Sequence, residues 1–143
     1  MCEEVGVPPG GVPDGSEWLV DAHDCQPESL RSLTVLQRIF DRVLADLSLH
    51  AVADPVWRVF PGTGGVSGML LLSESHLTCH TFPERGLAAF NLYCCRARPP
   101  WPWAEHLSAE LGARKTLVTV IDRGRALRAP ADETAAAGQG RTA

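Results

Sequence analysis

The stretch "LLSESHLTCHTFPERG", residues 71–86, decides the fold and carries most of the reactive side chains of this chain. Its second half alternates in the way that predicts a β-strand. Successive side chains of a strand point to opposite faces, so the polar and aromatic residues share one side of the predicted sheet. These residues are His76, Thr78, His80 and Phe82. The residues between them, beginning with Leu77 and Cys79, are expected to face a core.

The flanking sequence predicts five more strands and two helices. A long amphipathic helix is expected at residues 27–49, because Pro27 suits a first helical turn and apolar residues recur at helical spacing after it. A short helix is expected from Trp103, with Gly112 as its C-cap. The strands are expected at residues 17–24, 56–60, 66–73, 76–82, 88–95 and 115–122. This order predicts an α+β, two-layer sandwich: an antiparallel sheet with two helices on one face.

The alternation of side chains also predicts which residues of the next strand face the core. Phe90 and Cys94 are expected to face the core, whereas Asn91, Tyr93 and Cys95 point the opposite way. A site that combines His80 with Cys95 is therefore possible on the face that the helices leave open.

Composition and length are those of one globular domain. The apolar share of 45% and the charged share of 21% are ordinary for such a domain, and 143 residues suit a single core. We predict one domain at residues 16–126. The small, polar and Pro- or Gly-rich segments 1–15 and 127–143 are expected to be disordered.

Charge and hydropathy argue against nucleic-acid and membrane partners. A net charge of −4 gives no support for nucleic-acid binding. No apolar run is long enough to span a bilayer. The first segment, "MCEEVGVPPGGVPDG", lacks the basic start and apolar run of a secretory signal. We therefore expect a cytoplasmic protein without membrane or nucleic-acid partners, whose five cysteines are free thiols.

Two chemistries explain the reactive residues poorly. A serine hydrolase needs a base beside its nucleophile, but His76 points away from Ser75, and no G-x-S-x-G elbow surrounds Ser67 or Ser75. A metal site on one face would have to use His76, His80 and Cys95, which lack the paired-ligand spacing of tetrahedral zinc sites. We expect no metal.

A longer ordered motif runs through the same region. Glu74, Ser75 and His76 are followed by "HTFPERG" and then by Cys95 at the end of the next predicted strand. This arrangement resembles the small prokaryotic S-adenosylmethionine decarboxylases, the pyruvoyl-dependent enzymes of spermidine synthesis. The upstream segments "WLVDAHDCQPESL" and "GVSG" are also similar to that family, so the resemblance covers about residues 17–122.

The resemblance implies that the quoted stretch is a self-cleavage site. The Ser75 hydroxyl would attack the Glu74 carbonyl and convert the peptide bond to an ester. Elimination would then release the chain ending at Glu74, and hydrolysis of the dehydroalanine left behind would give a pyruvoyl group at residue 75. By position, His80 and Ser67 match the family's processing residues, with His80 as the base that removes the α-proton.

The resemblance also implies a cofactor and substrate contacts. The self-derived pyruvoyl group would form a Schiff base with the substrate amine and act as the electron sink during decarboxylation. Cys95 matches the family's proton donor and Glu84 the carboxylate that binds the ribose hydroxyls. Phe60 is a candidate to stack on adenine, and Phe82 stands where the family often has tryptophan. Core packing remains the alternative role for both phenylalanines.

The implied substrate is S-adenosylmethionine. Arginine or ornithine is the alternative substrate on the same scaffold, and an uncleaved, non-catalytic binding protein is a second alternative. Family members of this length form dimers with the site near the subunit boundary, so we expect a homodimer of cleaved two-chain protomers. Three positions depart from the family pattern: Asp24, Asn91 and Cys94.

Overall fold

The computed structural model describes residues 15–124, which form a six-stranded antiparallel sheet with helices on one face. The strands are β1 (Gly15–His23), β2 (Val56–Val59), β3 (Val66–Leu72), β4 (Ser75–Phe82), β5 (Leu87–Cys94) and β6 (Lys115–Arg123). The helices are α1 (Pro27–Leu30), α2 (Leu33–Leu47) and α3 (Trp103–Leu111), and a 3-10 turn spans Pro83–Arg85. The predicted α+β sandwich with two main helices on one face is confirmed.

The strand order across the sheet is β2-β3-β4-β5-β1-β6. Strands β2 to β5 follow one another as antiparallel neighbours, whereas β1 lies between β5 and β6. The pairing Trp18↔Leu92 on one side of β1 and Trp18↔Val120 on the other fixes this register. Strand β1 is thus an interior strand of the sheet.

The core lies between the sheet and the helices, on the face that the sequence predicts. Leu77, Cys79, Phe90 and Cys94 are all buried. From the helix side the buried residues are Leu36, Ile39, Phe40, Val43 and Leu47 of α2 with Leu107 and Leu111 of α3. The other face of the sheet carries no helix among residues 15–124, and we call it the open face.

The prediction of one continuous helix at residues 27–49 is wrong. The chain leaves the helical conformation at Ser32, which is extended (φ −90°, ψ 105°) and caps α2 by accepting a hydrogen bond from the Val35 N–H at 3.3 Å. The helical spacing continues across this break, which is why periodicity alone joined the two helices. The predicted start of α3 at Trp103 and its left-handed C-cap at Gly112 (φ 66°) are confirmed. The predicted strand bounds lie within two residues of the observed ones, and several coincide.

The predicted disordered ends lie outside the described residues, except for Gly15, which begins β1. No helix within residues 15–124 is long and apolar enough to cross a membrane. The four cysteines in the described part of the chain are free: Cys25, Cys79 and Cys94 are buried and Cys95 is exposed. The cytoplasmic location stays a prediction.

Candidate active site

The bond between Glu74 and Ser75 lies at a tight turn between β3 and β4. Leu72 pairs with Ser75, so only Ser73 and Glu74 form the turn. The Glu74 carbonyl accepts a hydrogen bond from the Cys95 N–H at 2.9 Å. The Glu74 carboxylate forms an ion pair with Arg96 at 2.8 Å. Two consecutive residues after β5 therefore hold the residue whose carbonyl the predicted cleavage would attack.

Ser75 lies opposite Cys94 in the β4–β5 register, on the core side of the sheet. Burial raises the pKa of the Cys94 thiol, and a side-chain hydrogen bond with Ser75 partly opposes that rise. The sequence predicts Cys94 as a core residue, and the structure adds that it contacts the predicted nucleophile. Ser75 itself is half-buried.

The predicted processing residues Ser67 and His80 form a hydrogen-bonded pair on the open face. They are direct partners in the β3–β4 register, and Ser67 Oγ lies 2.7 Å from His80 Nδ1. Next to Ser67, Gly68 is required by packing, because a Cβ there would overlap the Trp57 ring. Ser67 and Gly68 thus act on opposite faces of β3: Gly68 leaves space for Trp57, and Ser67 contacts His80.

Cys95 is exposed immediately after β5, beside Tyr93. A side-chain hydrogen bond with Cys95 is the main cause that raises the pKa of Tyr93, and Arg123 opposes the rise. The Arg123 guanidinium lies over the Tyr93 ring, 5.7 Å from its centroid. A Cβ at Gly15 would lie 3.2 Å from the Tyr93 hydroxyl, so a larger residue at position 15 would crowd the Tyr93 side chain.

The sequence did not predict a chain of hydrogen bonds across the open face. His76 Nε2 lies 3.1 Å from Asn91 Oδ1, and Asn91 donates to Glu17 at 2.8 Å. Hydrogen bonds from Asn91 and then Arg123 hold the pKa of Glu17 below its ordinary value of 4.5. The departure at Asn91 was a signal in the sequence. Its partner Glu17, and Arg123, which bonds to Glu17, come from β1 and β6, whose positions in the sheet the sequence did not predict.

The candidate substrate-binding residues lie near the other end of β4. Glu84 is exposed in the 3-10 turn, and Phe82 is half-buried, with the Arg85 guanidinium 5.8 Å from the centre of its ring. Phe60 is 41% exposed just after β2, with Arg58 at 5.0 Å from its ring centre. Both phenylalanines therefore retain surface for a ligand.

The predicted residues consequently fall into two groups at opposite ends of β4. The first, the cleavage group, is Glu74, Ser75 and Cys95. The second, the histidine group, is Ser67, His80, Phe82, Glu84 and Phe60. His80 follows Ser75 by five residues, about 16 Å at the usual rise along a strand, and it faces the opposite side of the sheet. Within one chain the structure does not bring the two groups together. No cluster of three or more His, Cys, Asp or Glu side chains suited to a metal ion occurs in residues 15–124.

The fold matches that of a solved decarboxylase. The crystal structure of the adenosylmethionine decarboxylase from Aquifex aeolicus VF5 superposes with a TM-score of 0.66 at 20% identity, over 82% of this chain and 96% of that one. The six-stranded sheet with helices on one face therefore has the fold of that adenosylmethionine decarboxylase.

Sequence comparison then gives the family. The family model described as S-adenosylmethionine decarboxylase matches residues 16–124. The S-adenosylmethionine decarboxylase proenzyme of Thermotoga petrophila is 33% identical over 112 residues, 78% of this chain and 85% of the relative. That of Clostridium tetani is 36% identical over 113 residues, 77% of this chain and 86% of the relative.

The chain therefore belongs to the S-adenosylmethionine decarboxylase family. Members of this family are carboxy-lyases of polyamine biosynthesis that derive a pyruvoyl group from their own chain. Membership of the family confirms the predicted family, enzyme class and cofactor.

Proposed function

We propose that this chain cleaves itself between Glu74 and Ser75 and then decarboxylates S-adenosylmethionine. The observation that carries the proposal is the hydrogen bond of 2.9 Å from the Cys95 N–H to the Glu74 carbonyl. It places a fixed donor on the oxygen that becomes negatively charged when a nucleophile attacks this carbonyl. The nucleophile required, the Ser75 hydroxyl, belongs to the next residue.

The first step is an acyl shift at the turn. Ser75 Oγ adds to the Glu74 carbonyl carbon, and the Cys95 N–H stabilises the resulting oxyanion. The bond from that carbon to the Ser75 nitrogen then breaks, and the nitrogen leaves as an amine after taking up a proton. The product is an ester that joins Glu74 to the Ser75 side chain. The backbone around Ser75 must rotate for this attack, because its hydroxyl points towards Cys94 in the uncleaved chain.

The second step is an elimination that needs a base. The base removes the α-proton of residue 75, the C–H electron pair forms a Cα=Cβ bond, and the Cβ–Oγ bond breaks to release the Glu74 carboxylate. His80 suits this role, because a Nδ1–H that donates to Ser67 Oγ leaves Nε2 free to accept a proton. Tautomerisation, addition of water and loss of ammonia then give the pyruvoyl group.

The separation of the two groups supports a shared site in a homodimer. Ser75 and His80 of one chain are about 16 Å apart along β4, so a second copy must supply the histidine group. The open face exposes apolar side chains that such a copy would cover: Met69 (61% exposed), Leu71 (59%), Leu117 (48%) and Ile121 (40%). In a two-fold dimer with the open faces together, the histidine group of each copy lies at the cleavage group of the other. The symmetry therefore completes two sites.

The pyruvoyl group, once formed, supplies the electron sink for the loss of carbon dioxide. The residues present fit such a group, because the turn bears the serine it derives from and a donor on the neighbouring carbonyl. Cys95, exposed beside this turn, delivers the proton that the substrate carbon takes up after carbon dioxide leaves. Glu84 accepts hydrogen bonds from the ribose hydroxyls. The Phe60 and Phe82 rings offer faces to the adenine and to the sulfonium cation.

The test is carbon dioxide release from carboxyl-labelled substrates. The wild-type protein is expected to release it from S-adenosylmethionine at least about 100-fold faster than from arginine or ornithine, since a site with polar groups matched to one substrate rejects others by such factors. Ser75→Ala is the control, because it has no hydroxyl from which the pyruvoyl group forms. Release from arginine or ornithine instead would reassign the substrate, and no release from any of them would favour a non-catalytic binding protein.

A further inference from the structure

We propose that Arg96 and Arg98 act as a cationic clamp on Glu74 that stabilises the carboxylate released by self-cleavage. This inference rests on the proposed cleavage between Glu74 and Ser75. It assigns a role to two arginines on the segment that follows β5, which the mechanism above leaves unused.

Arg96 already holds Glu74 in the uncleaved chain. Its Nε lies 2.8 Å from the Glu74 side-chain oxygen Oε2, and both side chains are partly exposed, at 56% and 39%. The backbone N–H of the preceding residue, Cys95, donates to the Glu74 main-chain carbonyl. Residue 95 therefore contacts the backbone of Glu74, and residue 96 contacts its side chain.

Arg98, two residues further along the same segment, has an unused donor. Its Nε is buried, and within residues 15–124 it has no hydrogen-bond partner. Its charge acts on the thiol of Cys94, the residue that pairs with Ser75 in the sheet. A buried guanidinium N–H without an acceptor costs free energy. An acceptor that forms later at this place would remove that cost.

Cleavage creates such an acceptor. The peptide bond before Ser75 is neutral, whereas the elimination step breaks the Cβ–Oγ bond and leaves its electron pair on the Glu74 α-carboxylate. Glu74 then carries two negative charges, one on its side chain and one on its new chain end. Arg96 alone neutralises only one of them. We assign the balance of the other to Arg98, on the same segment, and a second positive charge lowers the barrier for a leaving group that becomes negatively charged.

The clamp therefore acts on the elimination and has little effect on the acyl shift. This distinction can be measured, because hydroxylamine cleaves an ester but leaves a peptide bond intact. An ester intermediate has the mass of the uncut chain and is split by hydroxylamine into a 1–74 hydroxamate and a 75–143 chain that begins with Ser75. A chain that has not begun to react is not split.

The experiment follows the cleavage of the full chain by intact mass, with and without hydroxylamine, for Arg96→Gln, Arg98→Gln and the double variant. We expect each single variant to accumulate the hydroxylamine-sensitive ester and to eliminate about three- to tenfold more slowly, and the double variant to be slower than either. Arg96→Lys, which keeps the charge, should recover most of the rate.

Arg38→Gln is the matched control. Arg38 also pairs with a glutamate, Glu110, and its side chain is as exposed as that of Arg96, at 56% each. That pair joins α2 to α3, away from the cleavage turn. Arg38→Gln should cleave at the wild-type rate without accumulating ester.

Two results would overturn the clamp while leaving the proposed function intact. One is cleavage of the double variant at the wild-type rate. The other is a folded double variant, judged by circular dichroism, that stops as an uncut chain resistant to hydroxylamine, since the arginines would then act before the ester forms. A wild-type chain that never cleaves would instead remove the proposed function itself, and the clamp with it.

Discussion

At the scale of single residues, the hydrogen bond between Ser67 and His80 has the most direct consequence for cleavage. An imidazole is a base only at the nitrogen without a proton, and when Ser67 Oγ, 2.7 Å away, accepts from Nδ1–H, that nitrogen is Nε2. The sequence predicted a processing role for these two residues only through a family resemblance. The structure gives the physical link, because the two are partners in adjacent strands.

Ser67→Ala is therefore expected to slow self-cleavage by about tenfold, since a base that samples the wrong tautomer loses part of its efficiency. The measurement is the half-time of cleavage by intact mass, with trapping by hydroxylamine to show accumulated ester. Thr78→Ala removes a hydroxyl from the same face of β4, two residues from His80, and serves as the control. Equal half-times for Ser67→Ala and wild type would contradict the role of this hydrogen bond.

A second residue, Glu17, predicts how stability depends on pH. Its pKa is lower in the folded chain than its ordinary value of 4.5, first because of Asn91 and then because of Arg123. A carboxyl group with a lowered pKa stabilises the folded state above about pH 4.5, and this contribution is lost as the pH falls through the folded-state pKa.

The free energy of unfolding of wild type should thus exceed that of Glu17→Gln by more at pH 6 than at pH 3. Urea unfolding of both proteins at the two pH values measures this difference. A difference that stays constant, or that grows as the pH falls, would show that the Asn91 and Arg123 contacts do not favour the charged form.

At the scale of the elements, the link between α1 and the sheet depends on one buried hydroxyl. The Thr81 hydroxyl donates to the Leu30 carbonyl at 2.7 Å and accepts from the Val66 N–H at 2.9 Å. It therefore joins α1, β3 and β4 behind the histidine group. Thr81 is the one polar residue among the buried residues of the described chain.

Thr81→Val keeps the shape of the side chain and leaves two backbone groups without this partner. We expect a loss of about 1–3 kcal/mol in the free energy of unfolding, the usual cost of unsatisfied buried polar groups. Thr34→Val makes the same change at an exposed position of α2 and should alter stability by less than about 0.5 kcal/mol. Urea denaturation compares the two, and equal effects would mean that the Thr81 bridge contributes nothing.

The elements also mark the limit of what the sequence predicts. The alternation in β4 and β5 gave the correct face for His80, Phe90 and Cys94, because a period of two is a local property of the chain. The break at Ser32 was missed, because the apolar spacing continues across it. The place of β1 between β5 and β6 depends on pairing over long sequence separations, which no local pattern encodes. Glu17 and Arg123 were missed for the same reason.

At the scale of the whole molecule, a shared site predicts that two defective variants complement each other in a mixed dimer. A His80→Ala chain keeps the cleavage group, and a Ser75→Ala chain keeps the histidine group. Neither is expected to cleave when it is expressed alone.

When the two variants are expressed together, mixed dimers contain one intact site. We expect part of the His80→Ala chain to be cut, with the Ser75→Ala chain left whole, and the masses of the two chains distinguish them. A co-expressed pair in which no chain is cut would show that each site is built within one chain.

The central claim is that residues 74 and 75 form a self-cleavage site, and the intact mass of the purified protein under denaturing conditions tests it most directly. The account predicts two chains, one comprising residues 1–74 and one that begins with a pyruvoyl group in place of Ser75. Ser75→Ala should remain a single chain. A wild-type protein that stays as one chain of 143 residues after prolonged incubation would contradict the account.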